Sequence, residues 1–402
     1  MLLELIIALA FGIIIGTITG LLPGIHINLV SVIILSLPIS TIVSPIYLVI
    51  FITSLSITHI FIDFIPTIFL GCPNEDTSLS VLPGHELLLE GNGYEAIILS
   101  ITGSLIGIIL LIPLTIIFFI FLPTTYNLLK NIMPLVLILI IFTMFFFEKG
   151  KKKTLFIIIL SGLLGISVLT LNLNIKEPLL PMLTGLFGAS SIILSISKKS
   201  KIPFQEIKLI KHILRENKSN LKKPILASLI ASPICSFLPG LGSNQASTIG
   251  SYIFENLNKK QFLILIGIVN SLVMSLSFII LYSINKSRTG SAAYITKLLP
   301  NINQNQLFLI IITVLITSVI VFLITIKISK VFSKNIYKIN YNLLSIIIIL
   351  FLSSIILIFS GFIGFFVFLI STFTGISCIL LNVRRTSLMA CLLIPTIIYY
   401  IL

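Results

Sequence analysis

Apolar residues make up 57% of the chain and gather in long stretches separated by polar segments. A helix needs about 20 apolar residues to cross a hydrocarbon core of about 30 Å, and at least ten stretches approach that length. They include about 42–62, 94–121, 154–170, 178–196, 261–284, 307–329, 342–359 and 361–381. Most are apolar all round, as expected of helices that face lipid or other helices on every side. The pattern breaks in two matched places. One reads Gly20-Leu-Leu-Pro-Gly-Ile-His-Ile-Asn28 and the other Ser236-Phe-Leu-Pro-Gly-Leu-Gly-Ser-Asn244. Leu22, Pro23, Gly24 and Asn28 match Leu238, Pro239, Gly240 and Asn244. Proline removes an N–H and clashes with the preceding turn, and glycine permits a sharp reversal. Helices interrupted at corresponding points of two halves point to a binding site between those halves.

Composition fixes the broad class. Charged residues make up 9% of the chain, against about 25% in soluble domains, and mean hydropathy is +1.20, so the chain reads as a multi-pass protein of the cell membrane. The first apolar run opens without a basic segment or a small-residue cleavage site, and is expected to be structural. The four cysteines, Cys72, Cys235, Cys378 and Cys391, are scattered singly and predict neither a disulfide framework nor a metal site. No nucleotide-binding loop or hydrolase signature is present, so no enzyme is expected.

The charge pattern sets the topology. Residues 1–129 contain no Lys or Arg but seven acids, and all 26 basic residues follow. The basic residues fall in loops between apolar runs, which suits control of membrane orientation and not nucleic-acid binding. Clusters at 149–153, 198–223, 327–338 and 384–385 are each expected to face the cytoplasm. Two spans separate the first cluster from the second, and two more separate Lys338 from Arg384. Between Lys223 and Lys327 the two spans 261–284 and 307–329 already restore the side, so the broken stretch 224–254 is expected to enter and leave on one face as a re-entrant hairpin. A kinked full span is the alternative.

Aligning the halves places basic loops of one opposite charge-poor loops of the other. The expected fold is therefore all-α and polytopic, with two inverted-topology repeats, each holding one re-entrant Pro-Gly hairpin and about five transmembrane helices. The first repeat is expected over 1–196, with its hairpin at 1–38, and the second over 224–402, with its hairpin at 224–254. A linker at 197–223 is expected to form a short basic amphipathic helix on the cytoplasmic lipid surface.

Candidate chemistry follows from the breaks. A helix starting after each Pro-Gly offers unsatisfied N–H groups and the positive end of its dipole, which suits a carboxylate or phosphate oxygen. Gly240, Gly242, Ser243, Asn244 and Gln245 are the substrate-binding candidates in the second half, and Gly24, His26 and Asn28 in the first. Close helix packing through small residues is the plain alternative. A second polar stretch runs from Gly71 to His85, and its counterpart runs from Arg288 to Pro300. Glu75, Asp76 and Thr77 are candidates for a coupling Na+ or H+, and Arg288 for pairing with a substrate anion; solvated loop charges are the alternative. Asp63 closes the apolar run Ile60-Phe-Ile-Asp-Phe-Ile-Pro66, where a charge is costly and usually functional. His59 and His26 are read as proton-sharing neighbours of Asp63 or as satisfied buried histidines, and His85 and His212 as surface residues.

The paired Gly-x-x-Pro-Gly segments, the Pro73-Asn-Glu-Asp-Thr-Ser78 stretch and the following Leu82-Pro-Gly-His85 resemble the large membrane subunit of tripartite tricarboxylate transporters, the TctA family, and above all its stand-alone archaeal relatives. The resemblance implies cation-coupled uptake of a small carboxylate, with a periplasmic-type binding protein and a small membrane subunit as partners. A more distant likeness is to polyprenyl-phosphate transporters. Three functions stand open on these residues: a secondary transporter of a small organic anion, a translocase for a prenyl phosphate lipid carrier, and a non-transporting membrane scaffold. A homodimer in the lipid bilayer is one expected assembly, and no bound cofactor is expected beyond the coupling ion.

Overall fold

The computed structural model describes residues 2–22, 43–71, 77–129, 132–146, 148, 150–170, 175, 178–197, 202–237, 242–254, 257–338 and 341–401. Among these residues every regular element is helical. In the first half lie α1 (Leu2–Leu21), α2 (Pro45–Ile62), α3 (Phe64–Leu70), α4 (Val81–Leu89), α5 (Gly93–Leu129), α6 (Met133–Phe146) and α7 (Lys151–Leu169). Helix α8 (Leu179–Leu183) then passes through a π-helical turn, Thr184–Ala189, into α9 (Ser190–Ser197). A short α10 (Ile210–Glu216) joins the halves. The second half comprises α11 (Lys222–Phe237), α12 (Ser243–Ile253), α13 (Lys259–Ile284), α14 (Gly290–Leu298), α15 (Gln304–Asn335), α16 (Tyr341–Leu380) and α17 (Ala390–Ile401).

Among the described residues, seven helical segments are long and apolar enough to cross a membrane, and three shorter apolar helices accompany them. This is a multi-pass membrane protein. Two segments form the centre: Pro45–Leu70, 94% buried over its most apolar window, and Lys259–Ile284, 100% buried. Helices α1, α5 and α15 pack on them, and these helices and α16 expose rows of apolar side chains, such as Ile109, Ile112, Ile116 and Ile120 on α5. Exposed apolar area on that scale is tolerated where lipid covers it.

Gly361 divides α16, with φ 68° and ψ −171°. The two arms meet the α8–α9 rod in opposite order. Ile348 and Leu352 pack on Ile192, and Ile356 on Ala189. A Cβ on Gly364 would lie 3.8 Å from Ile175, whereas one on Gly375 would lie 2.2 Å from the Leu186 carbonyl and close to Ser190. Gly361 is thus a reversal between two antiparallel arms, at the break expected between 342–359 and 361–381.

Packing pairs the halves crosswise. Helix α5 lies along α13, and α15 lies along α2; within each half, α1 packs on α2 and α11 on α13. The α5–α13 crossing is backbone on backbone. A Cβ on Gly267 would sit 2.0 Å from the Ser100 carbonyl, and one on Gly103 would sit 2.3 Å from that of Ile264. Ser271 Oγ donates to Ser104 O at 2.8 Å across the same seam. Small residues let the two backbones approach this closely, as helices in lipid require.

Among the described residues of the linker, a short helix, α10, and a 3-10 turn, Lys218–Leu221, follow an irregular stretch over 202–209 that is docked onto the protein. Gln205 is fully buried: its Oε1 accepts from Gly93 N–H at 2.8 Å, and its Nε2 donates to Leu88 O and Pro203 O. The 93–95 turn presents unpaired helix N–H groups, and the buried amide closes one of them, which an amphipathic helix lying on lipid cannot do. The Gln205→Leu protein is expected to unfold at a lower temperature than wild type and to be cut faster by trypsin at Lys208, because buried groups left unsatisfied cost about 1–3 kcal/mol each. An unchanged melting curve and cleavage rate would show that this docking is incidental.

The basic loops gather at one end. Glu148 binds Arg384, Phe204 stacks edge-on against Tyr337, and Asn258 Nδ2 donates to Asn220 Oδ1. Lys259 pairs with Glu86 and Glu90, and Lys260 with buried Glu95. Burial pulls the Lys208 pKa down, but Glu206, Glu95 and Glu216 outweigh it and hold it above the ordinary lysine value.

Candidate functional site

The site grows from an interruption in the most buried helix of the first half. Pro66 has no N–H, so the Ile62 carbonyl loses its partner four residues on, and regular helix lapses at Asp63. The direction holds, because Asp63 N–H bonds to His59 O at 2.9 Å and Thr67 N–H to Asp63 O at 3.2 Å. Gly71, at φ 66°, ends α3 in the left-handed conformation, its N–H turned back to Pro66 O. The chain then enters the polar stretch and returns at Thr77 against the Asp63 carboxyl.

Asp63 is 2% exposed, and Thr77 and Thr67 are fully buried. Thr77 Oγ1 lies 2.6 Å from Asp63 Oδ2, Thr67 Oγ1 lies 2.9 Å from Thr77 Oγ1, and Thr67 Oγ1 donates to Asp63 O at 2.7 Å. Thr77 donates to the Asp63 carboxyl, Thr67 donates to the Asp63 carbonyl, and the two hydroxyls meet each other, so three side chains gather their oxygens at one buried point.

One residue further, Ser78 joins this cluster to the second half. Asn244 Nδ2 donates to Ser78 Oγ at 2.7 Å, with both residues buried. Asn244 stands in the first turn of α12, whose N-cap is Gly242 in extended conformation. Gln245 Oε1 accepts from Gly242 N–H at 2.9 Å, so the side chain three residues on closes one of the N–H groups at this helix start. Ser243 is buried beside them.

Asp63, Thr77 and Asn244 thus come together, with Gly242, Ser243 and Gln245 at the start of the same helix. Arg288 stands, partly buried, on the loop before α14, whose N-cap Thr289 shares a hydroxyl contact of 2.9 Å with Ser277. Gly24, His26, Asn28, Glu75, Asp76 and Gly240 lie outside the described residues. His59 is buried, with Nδ1 3.1 Å from Thr19 Oγ1. His85, expected on the surface, is buried because 81–89 folds as helix α4 against α3 and α5. Thr67 and Ser78 escaped sequence reasoning. The spacing of Thr67, one helical turn after Asp63, was the available signal.

A family model described as the tripartite tricarboxylate transporter TctA family matches residues 6–390. An uncharacterized protein of Methanocaldococcus jannaschii is 34% identical over 98% of this chain and 98% of its own length. No solved structure matches.

Proposed function

The chain belongs to the tripartite tricarboxylate transporter TctA family, and on that premise we propose that it is a secondary transporter of a small organic anion of the carboxylate class. The observation that carries this reading is the bonded path from Asp63 through Thr77 and Ser78 to Asn244. It ties a buried carboxyl of one half to the N-terminal turn of a broken helix in the other, the arrangement in which ion and substrate bind to adjoining groups. The coupling ion sits at Asp63. A buried carboxyl with two hydroxyl oxygens around it suits a proton, and Na+ is the alternative that would take the same oxygens.

The halves act as inverted repeats, one rocking against the other. The crosswise packing of α5 on α13 and α15 on α2 supports this, since exchange of the halves maps one pair onto the other. Helices α11 and α12 form a re-entrant hairpin. They pack on each other, the residues that precede and follow them meet at Asn220 and Asn258, and each is shorter than the roughly 20 residues needed to span. A binding protein and a small membrane subunit of the tripartite kind are the proposed partners.

A thermal-unfolding screen of the purified protein tests the reading. Saturating small di- or tricarboxylate is expected to stabilise the wild type, by about 2.7 kcal/mol at a hundredfold excess over Kd, and Asn244→Ala to remove most of that gain. Stabilisation by prenyl phosphate alone would make the protein a lipid-carrier translocase. Stabilisation by neither would leave a scaffold.

A further inference from the structure

A cavity of about 350 Å³ opens at the basic end of the bundle, between Leu79, Ser251 and Phe262 on one side and Arg384, Arg385 and Thr386 on the other. The volume suits a small-molecule site. It adjoins the site already described: Leu79 follows Ser78 in sequence, and Ser251 lies seven residues from Asn244 on the same face of α12, about 10 Å along its axis.

The two arginines differ. Arg384 is exposed and paired, its Nε 3.5 Å from Glu148 Oε1, which also accepts from its main-chain N–H at 3.2 Å. Arg385 is only 7% exposed, and no carboxylate among the described residues lies within salt-bridge distance. Its partners are neutral. Nη1 donates to Ser191 Oγ at 2.6 Å, and Nη2 to Leu186 O, Phe187 O and Ser190 Oγ at 2.7–2.9 Å. The buried Nε makes no hydrogen bond among the described residues. The guanidinium also rests over the Phe187 ring, 5.3 Å from its centroid. The two carbonyls come from the π-helical turn, where the wider helix leaves main-chain oxygens open to a side-chain donor. They anchor and orient the fork but bring no counter-charge. A buried cation without an anion costs several kcal/mol, and a guanidinium recovers that best from a carboxylate.

We propose that this cavity is an anion site on the transport route, in which a carboxylate of the organic substrate supplies the missing counter-charge to Arg385. Thr386 and Ser251 add neutral polar contacts, and Leu79 and Phe262 receive the carbon skeleton. The proposal rests on the transporter reading and names the residues that meet the substrate at the basic end. In sequence, Arg384 and Arg385 served only as markers of orientation.

Binding of citrate and succinate to full-length protein in detergent, measured by calorimetry, tests it. Ser251→Leu fills the cavity without touching a charge, and Arg385→Lys keeps the charge but loses the fork. Each is expected to weaken binding tenfold or more, about 1.4 kcal/mol, with Ser251→Leu keeping the wild-type melting temperature. If Arg385→Lys does not fold, Ser251→Leu and Thr386→Val decide. Wild-type affinity in the variants that fold overturns the cavity and leaves the transporter reading intact. No binding of any carboxylate by the wild type, together with no uptake, overturns both.

Discussion

Replacing Asp63 by asparagine is expected to leave a folded protein that exchanges substrate across a membrane but no longer accumulates it. The side-chain amide of asparagine keeps an oxygen that accepts from Thr77 as the carboxyl does, so the contacts through Thr77 and Thr67 stay made. The carrier then resembles its proton-loaded form in every conformation and cannot release the ion that drives uphill movement. Stability is retained because a neutral, hydrogen-bonded group replaces one whose ionised form is costly at this depth. Gradient-driven uptake is expected to fall by about 10- to 100-fold, the value of a charge-assisted hydrogen bond of roughly 1.5–3 kcal/mol. Equal rates of exchange in wild type and variant, measured by counterflow in proteoliposomes, separate this outcome from misfolding. Thr77→Val removes one link of the chain and is expected to slow uptake by a smaller factor.

The second large effect is structural. Gly267→Val places a branched side chain where even a Cβ stands 2.0 Å from the Ser100 carbonyl, an oxygen of the facing backbone that cannot turn aside. The α5–α13 seam joins the two halves, and Lys259–Ile284 is buried along its whole apolar window. Separating the helices also breaks the Ser271–Ser104 bond. Overpacking costs about 1–3 kcal/mol in ordinary cores and more where backbone is the obstacle. The variant is expected to be lost to degradation or to unfold well below wild type in detergent. Gly150→Ala serves as the control, since a Cβ there meets nothing closer than the aliphatic stem of Lys153 at 3.8 Å.

Sequence reveals this protein where the physics is local or uniform. Length and apolarity marked the apolar helices but not their far ends, which run to Leu70, Leu129 and Asn335 beyond the expected 62, 121 and 329, and the break at Ser360–Gly361 was legible because only glycine adopts the conformation found there. Asp63 was legible because a lone carboxylate in an apolar run has few structural uses. The partner of Asp63 was visible only in part. Thr77 lay in a stretch already suspected of ion chemistry, but Thr67 looked like one more hydroxyl on a helix, as most prove to be when they bond back one turn. The Asn244–Ser78 bond joins residues 166 positions apart, and no periodicity encodes it. Arg385 was hidden for a different reason. A pair of arginines between two spans satisfies the orientation rule whether exposed or buried, and only packing against α8–α9 distinguishes Arg385 from Arg384. His85 erred toward the surface, because a polar residue in an apparent loop was given no helix to enter.

Uptake of a labelled di- or tricarboxylate into proteoliposomes, under an imposed proton gradient, an imposed sodium gradient or neither, tests the central claim most directly. Wild-type protein is expected to accumulate the anion under the proton gradient and to lose that accumulation with a protonophore, while the Asp63→Asn protein exchanges without accumulating. No accumulation under either gradient, or accumulation by the Asp63→Asn protein as fast as by wild type, would contradict a carrier coupled through Asp63.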